Sequence, residues 1–292
     1  MVAGFWYNVI VSELLESGRE NIVILGAGVG GSTALLALRR GLTRHGLSNR
    51  YHLVLVNRGG QHIYTPALYE IASLPRGEAS ALCLKSTICI QIEDIIAPYP
   101  EIRFIGEEVS GLDPEHHLVT FKSGNRLSFT YAVIALGAET NFFGIPGLQE
   151  HAYPLKTFED AVRLRNRAEE LMRRPGGPLE VIIGGGGTTG VELSAEFSNF
   201  FRRLHKSTDV RPSVSTLLVE ASPSILSGFE QAIRRRAKRR LDRLGIRVLA
   251  GMKISRVAPT EVWFENGASA RYELLVWAGG VQAAGALKNF GL

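Results

Sequence analysis

Six glycines stand in two groups of matching spacing: Gly26, Gly28 and Gly31 within GAGVGG, and Gly185, Gly187 and Gly190 within GGGGTTG. In a GxGxxG arrangement the first glycine permits a tight turn out of a strand, the second lets a phosphate reach the backbone, and the third lets the next helix pack closely. The chemistry served is electrostatic, because amide protons without an intrahelical acceptor and the helix dipole together favour a diphosphate at the helix start, here beside Thr188 in the second group. Glu220 ends the strand that follows the second group, where a carboxylate accepts hydrogen bonds from an adenosine ribose and repels a 2'-phosphate. No arginine follows within Ala221 to Ser224, so NADH is expected there over NADPH. Asn57 holds the equivalent place in the first group, where an amide hydrogen bond contributes about 1 kcal/mol against about 1.5 to 3 for a bond to a carboxylate. Arg58 beside it is either a clamp for a 2'-phosphate or a solvent-facing arginine just past a strand.

Positioning these residues requires the same order of elements twice. The buried run Ile22 to Leu25 leads into the first glycines and a helix-like stretch, Ser32 to Arg40, follows; Val181 to Ile183 and a helix opening at Val191 repeat the pattern. The next apolar strands, YHLVLV before Asn57 and VSTLLV before Glu220, complete two βαβ units. Alternating segments then follow in each copy, HLVTF and RLSFTYAVI in one, EVWFE and RYELLVW in the other, separated by turn residues and predicting antiparallel meanders. Each copy closes on a buried strand meeting small residues, Ala132 to Leu136 before Gly137 and Leu274 to Trp277 before Gly280. Ala135, Gly137 and Gly280 would there let a flat ligand approach the backbone. NFFGIPGLQEHAYPLKT is a Gly- and Pro-marked linker, and Phe158 to Arg174 is predicted to be a polar-faced helix carrying Val162, Leu164, Ala168 and Leu171. The predicted fold is α/β: two Rossmann-type dinucleotide-binding domains, each a parallel sheet with an antiparallel β-meander. The expected division is an extension over 1–20, a first domain over 21–155, a second over 156–282, and a start of return to the first over 283–292.

Composition bounds the partners without choosing among them. The 292 residues carry a net charge of +5, which favours anionic partners, and only two cysteines, which argues for a reducing compartment over a disulfide framework. Met1 to Val11 is apolar, with Phe5, Trp6 and Tyr7, but lacks a basic start and is too short to span a bilayer; it is either an amphipathic arm or a fraying extension. The basic run IRRRAKRRLDRLGIR suggests a lipid or nucleic-acid patch. However, Ile233, Ala237, Leu241 and Leu244 recur at helical spacing, define a buried stripe and leave the arginines as a solvated face, so no nucleic-acid partner is expected.

With both motifs placed, the chain resembles the type II NADH:quinone dehydrogenases, FAD-dependent members of the pyridine nucleotide-disulfide oxidoreductase superfamily. The resemblance runs from about Asn21 to Gln282 and is carried by QHIYTPALYEIAS, ALGAETNFFGIPG, YPLKTFEDAVRLRNR, GGGGTTGVELSAEF, LLVEASPSIL and LLVWAGGV. It implies FAD in the first domain and NADH in the second, with hydride passing to the flavin and electrons to a quinone, so that no metal or activated nucleophile is required. It also implies that Tyr64, Thr65 and Pro66 lie near the flavin, with Ala67 where the family usually has leucine, and that Glu192 assists proton transfer near nicotinamide and quinone. Cys83 and Cys89 match neither redox-disulfide placement of related reductases.

The family continues past the position of Leu292 with a Gly-Asp motif holding the flavin, an interface region and membrane-binding helices. The resemblance therefore implies a fragment or shortened reading frame, with weak FAD retention and little quinone reduction by this chain alone. In the longer form it implies a peripheral protein on the cytoplasmic face of the cell membrane and a homodimer. The alternatives are a reductase of ferredoxin or rubredoxin type, and a nucleotide-binding module that has lost activity.

Overall fold

In the computed structural model, which describes residues 18–174, 177–207 and 212–291, the chain forms two compact units, each assembled from non-contiguous segments. The first unit comprises the residues up to Tyr64, Cys89–Glu139 and Ala283–Leu292; the second comprises Thr65–Ile88 and Thr140–Gln282. The N-terminal stretch Met1 to Val11 lies outside the described residues.

In the first unit β1 (Glu20–Leu25), α1 (Val29–Arg44) and β2 (Tyr51–Val56) form the expected βαβ unit. β3 (Ile102–Ile105) extends the sheet beyond β2. An antiparallel meander follows, β4 (Val109–Asp113), β5 (Leu118–Phe121) and β6 (Arg126–Ser128), before β7 (Tyr131–Ile134) returns to the far side of β1. The strand order is β3-β2-β1-β7, all parallel. Alternation along β1 splits the core in two, because successive side chains leave opposite faces of a sheet. Ile22 and Ile24 join Leu35 of α1, while Val23 and Leu25 join Val119, Phe121 and Leu127 of the meander. Phe290, near the chain end, packs into this second layer.

In the second unit β8 (Tyr153–Pro154) precedes the capped helix α4 (Phe158–Arg173), where Thr157 and Asp160 form a reciprocal capping box. The repeated grammar then runs β9 (Leu179–Gly184), α5 (Thr188–Ser207), β10 (Val214–Glu220), α6 (Gln231–Arg243) and β11 (Arg247–Ala250). A meander follows, β12 (Ile254–Ala258), β13 (Glu261–Phe264) and β14 (Ser269–Arg271), and β15 (Leu274–Trp277) closes the copy. The parallel sheet is ordered β8-β15-β9-β10-β11. Apart from the added β8, this is the order of the first unit. Even the irregularity recurs, since the first strand of each meander shifts register once, at Val109/Gly111 and at Ile254/Arg256.

Several expectations need correction. Both glycine-led helices begin three residues earlier than their side-chain pattern suggests, at Val29 and Thr188, because glycine is tolerated in a first turn whose amides need no intrahelical partner. The stretch read as a buried closing strand of the first copy is only half-buried, with Tyr131 and Ile134 exposed, because β7 is an edge strand of its sheet. Its counterpart β15 lies between β8 and β9 and is buried throughout. The supposed stripe of α6 also fails: only Leu241 is buried, Ala237 and Leu244 are half-buried, and Ile233 is exposed. Finally, α4 is not simply polar-faced, since Asp160, Arg165 and Glu169 point into the structure and are buried.

Candidate functional site

Gly26 turns the chain out of β1 with φ +105°, and a Cβ built on it would lie 2.3 Å from the Ala135 carbonyl oxygen. A Cβ on Gly31 would lie 1.8 Å from the Gly26 carbonyl oxygen, so the strand, the helix and the strand end at Ala135 are drawn together by missing side chains. Gly28, between them, is different: among the described residues nothing lies within 4 Å of the position its Cβ would take. It is the N-cap of α1 and, having no side chain, supplies no capping acceptor to the first helical amides. Protein packing therefore explains two of the three glycines and leaves the middle one facing open space.

The second turn repeats this point for point. Gly185 has φ +109° and its Cβ would meet the Ala278 carbonyl oxygen at 2.5 Å; that of Gly190 would meet the Gly185 carbonyl oxygen at 1.8 Å; and Gly187 again has nothing within 4 Å among the described residues. Thr188 opens α5 and is exposed beside that space.

Each turn is braced by the residue at which sequence reasoning placed the ribose contact. Asn57 Oδ1 accepts a hydrogen bond from the Ala27 amide at 3.1 Å, and its Nδ2 donates to the Gly59 carbonyl at 2.6 Å. Glu220 Oε2 accepts from the Gly186 amide at 2.5 Å and Oε1 from the Ser222 amide at 2.6 Å. Ala27 and Gly186 are equivalent positions, so the amide and the carboxylate do the same structural work. Glu220 retains acceptor capacity, since a carboxylate offers about four lone-pair sites. Arg58 is exposed just past β2.

At the strand ends, the Ala135 amide donates to the Leu25 carbonyl and Gly137 adopts φ +75°. In the second unit a Cβ on Gly280 would fall 2.9 Å from the Phe143 ring. The preceding linker is fastened there, with Trp277 Nε1 donating to the Asn141 carbonyl at 2.7 Å and the Asn141 amide to the Gly280 carbonyl at 3.1 Å. Tyr64 is exposed at the end of its segment of the first unit, and Pro66 is exposed in a single 3-10 turn (Thr65–Ala67) of the second.

Glu192 lies in the first turns of α5, packed against α2 (Leu68–Ala72), which brings Tyr69 and Glu70 to it. Glu192 is exposed as a whole, yet partial desolvation of its carboxyl, then the charge of Glu70, hold that carboxyl above its ordinary value. Burial and the carboxylates Glu192, Glu70 and Glu196 likewise raise the Tyr69 phenol. A carboxyl that binds its proton more tightly folded than unfolded loses the fold stability as pH rises from the ordinary carboxylate value through the raised one. Glu192→Gln is expected to flatten that part of the slope, read as the urea midpoint while pH is raised from about 4, the ordinary carboxylate value. An unchanged slope would assign the pH dependence elsewhere.

Two contributors carry no sequence motif. His62 Nδ1 lies 2.8 Å from the Ala27 carbonyl oxygen, under the first glycine turn, and Glu70 is the charge nearest in effect to Glu192. QHIYTPALYEIAS contains both, but no periodicity or spacing ties either to its partner. Cys83 is exposed, Cys89 buried, and neither forms a disulfide. A cavity of about 570 Å³ in the second unit, beside His151, Arg163, Arg167 and Tyr272, touches none of the candidate cofactor-binding or catalytic residues.

The family model described as pyridine nucleotide-disulphide oxidoreductase matches residues 20–292. The chain is 27% identical to the external alternative NAD(P)H-ubiquinone oxidoreductase B1, mitochondrial, of Solanum tuberosum, over 94% of this chain and 50% of that protein. It is 28% identical to a probable NADH dehydrogenase of Dictyostelium discoideum, over 93% of this chain and 61% of that protein. Among solved structures, Plasmodium falciparum NDH2 in complex with NADH superposes with a TM-score of 0.78 at 25% identity, covering 93% of this chain and 57% of that one. The chain thus spans about half to three fifths of the length of these proteins.

Proposed function

Because this chain belongs to the pyridine nucleotide-disulphide oxidoreductase family, we propose that it is the dinucleotide-binding part of an FAD-dependent NADH dehydrogenase of type II, which passes electrons from NADH to a quinone. The observation that carries this reading is the pair of matched turns, in each of which the outer glycines are fixed by packing while Gly28 or Gly187 faces open space. A ligand that needs bare backbone accounts for the middle glycine; protein packing does not. The names of the potato and Dictyostelium relatives support the electron donor and the quinone.

In this reading Gly26, Gly28 and Gly31 with Asn57 hold the diphosphate and ribose of FAD, and Gly185, Gly187, Thr188 and Gly190 with Glu220 hold those of NADH. The bound flavin supplies the two-electron chemistry. Glu220 keeps a negative charge where a 2'-phosphate would sit, which disfavours NADPH. Glu192, its carboxyl held above the ordinary value by partial desolvation and Glu70, is suited to take up a proton and pass it to a reduced acceptor.

The test loads the 292-residue chain with FAD, adds NADH or NADPH without oxygen, and follows the yellow absorbance before adding a short-chain ubiquinone or a ferredoxin. Bleaching by NADH more than by NADPH, reversed by the quinone, is expected. Loss of the redox reading would appear as nucleotide binding without bleaching, and recovery with ferredoxin alone would replace the quinone by a protein acceptor.

A further inference from the structure

α6 places seven cations within Gln231–Arg243 against a single internal carboxylate, Asp242, which is tied to Lys238 at 2.5 Å. That is more positive charge than the net +5 of the whole chain. Arg234 donates to Ser224, but Arg235, Arg236, Arg239, Arg240 and Arg243 are exposed and have neither a hydrogen bond nor an ion pair among the described residues. At roughly 100° per residue, Arg235, Arg236, Arg239 and Arg243 fall within about a 100° arc, with Arg240 on its shoulder. Like charges three and four residues apart weaken an isolated helix, so this stripe opposes its own helix unless an anionic surface neutralises it.

A second observation narrows what that surface is. Ile233, expected from periodicity to be buried, is 46% exposed on the flank of the stripe, and Phe229, just before the helix, is 44% exposed. Helix packing uses little more than Leu241, so the apolar residues at the helix start remain outside the core. Cations on one short helix, combined with exposed large apolar side chains in its first turn and just before it, match the boundary between lipid headgroups and acyl chains. A nucleic acid would use the cations and leave Phe229 and Ile233 without a role.

We infer that α6 is a docking face for a phospholipid bilayer of negative surface charge, lying in the plane of the membrane with Phe229 and Ile233 entering the headgroup layer. This does not rest on the redox reading. Each arginine near such a surface strengthens binding by about fivefold, the equivalent of ~1 kcal/mol per charge.

The test is co-sedimentation of the 292-residue chain with vesicles of phosphatidylcholine alone, or with about one third phosphatidylglycerol, at low and near-physiological salt. Binding to the anionic vesicles only, weakened roughly a hundredfold in R235Q/R239Q/R243Q and unchanged in K122Q, is expected. F229S/I233S should bind at low salt but release at lower salt than the parent chain. Circular dichroism of each variant establishes that helix content is retained. Equal binding to both vesicle types, or full binding by the triple variant, overturns the inference. So does a chain that retains a DNA or RNA oligonucleotide while ignoring vesicles, and an F229S/I233S variant indistinguishable from the parent removes the apolar insertion.

Discussion

Glu169→Ala is expected to destabilise the second unit by about 3–5 kcal/mol, the usual cost of leaving a buried charge without its partner. The Glu169 side chain is 1% exposed; its Oε2 accepts from Arg76 Nε at 2.7 Å and its Oε1 from the Arg76 amide at 2.5 Å. Arg165, itself buried, has its proton affinity lowered by burial and restored in part by Glu169. Its terminal nitrogen donates to the Ala79 carbonyl at 3.3 Å, while its Nε has no hydrogen-bond partner among the described residues. Removing the carboxylate therefore strands a buried guanidinium, frees an amide and opens a cavity at once. Against a total stability of about 5–15 kcal/mol for an ordinary domain, that is a large share. Thermal or urea unfolding measures it, with Arg173→Ala as the control. The Arg173 side chain is 59% exposed, its pair with Glu169 spans 3.4 Å, and its loss should cost under about 1 kcal/mol. If Glu169→Ala unfolds like that control, the charge cluster does not hold the segment.

The second large effect is a contrast between two alanines. Gly190→Ala would place a methyl 1.8 Å from the Gly185 carbonyl oxygen, a backbone atom that cannot turn aside, so β9 and α5 must separate at a cost of about 1–3 kcal/mol or more. Gly187→Ala meets nothing within 4 Å and should change stability by less than about 1 kcal/mol, the scale of an altered cap. For NADH binding the second substitution acts directly, since its methyl stands where the diphosphate would approach, and a loss of at least about tenfold is expected, or ~1.4 kcal/mol. Unfolding midpoints and NADH titration of the two variants separate packing from binding. A Gly187→Ala chain that binds NADH as the parent does would remove the diphosphate from this turn.

These turns were legible in the sequence because what specifies them is local: glycine spacing, an apolar run before it and a strand ending in Asn57 or Glu220 after it. The meanders were legible for the same reason, through two-residue alternation and turn residues at their ends. What could not be read depends on partners distant along the chain. Periodicity gives α6 an apolar face but not how much of it is covered, which is why Ile233 is exposed. In α4, Arg165 and Glu169 have the composition of a solvent face and are buried because Thr65–Ile88 packs over them, a segment with no pattern that names its partner. His62 supports the first glycine turn across 35 residues, and nothing in QHI announces it.

The discontinuous make-up of the second unit bears on how the chain is made. Arg76 leaves the ribosome 93 residues before Glu169, the group that will neutralise it, which at ~5–20 residues per second is a delay of roughly five to twenty seconds. During that interval Leu68, Ile71, Leu84 and Ile88, all destined for the interior, have no interior to enter. The nascent segment is thus a natural client for a chaperone that shields apolar stretches, and slowing translation between these positions should lengthen that dependence.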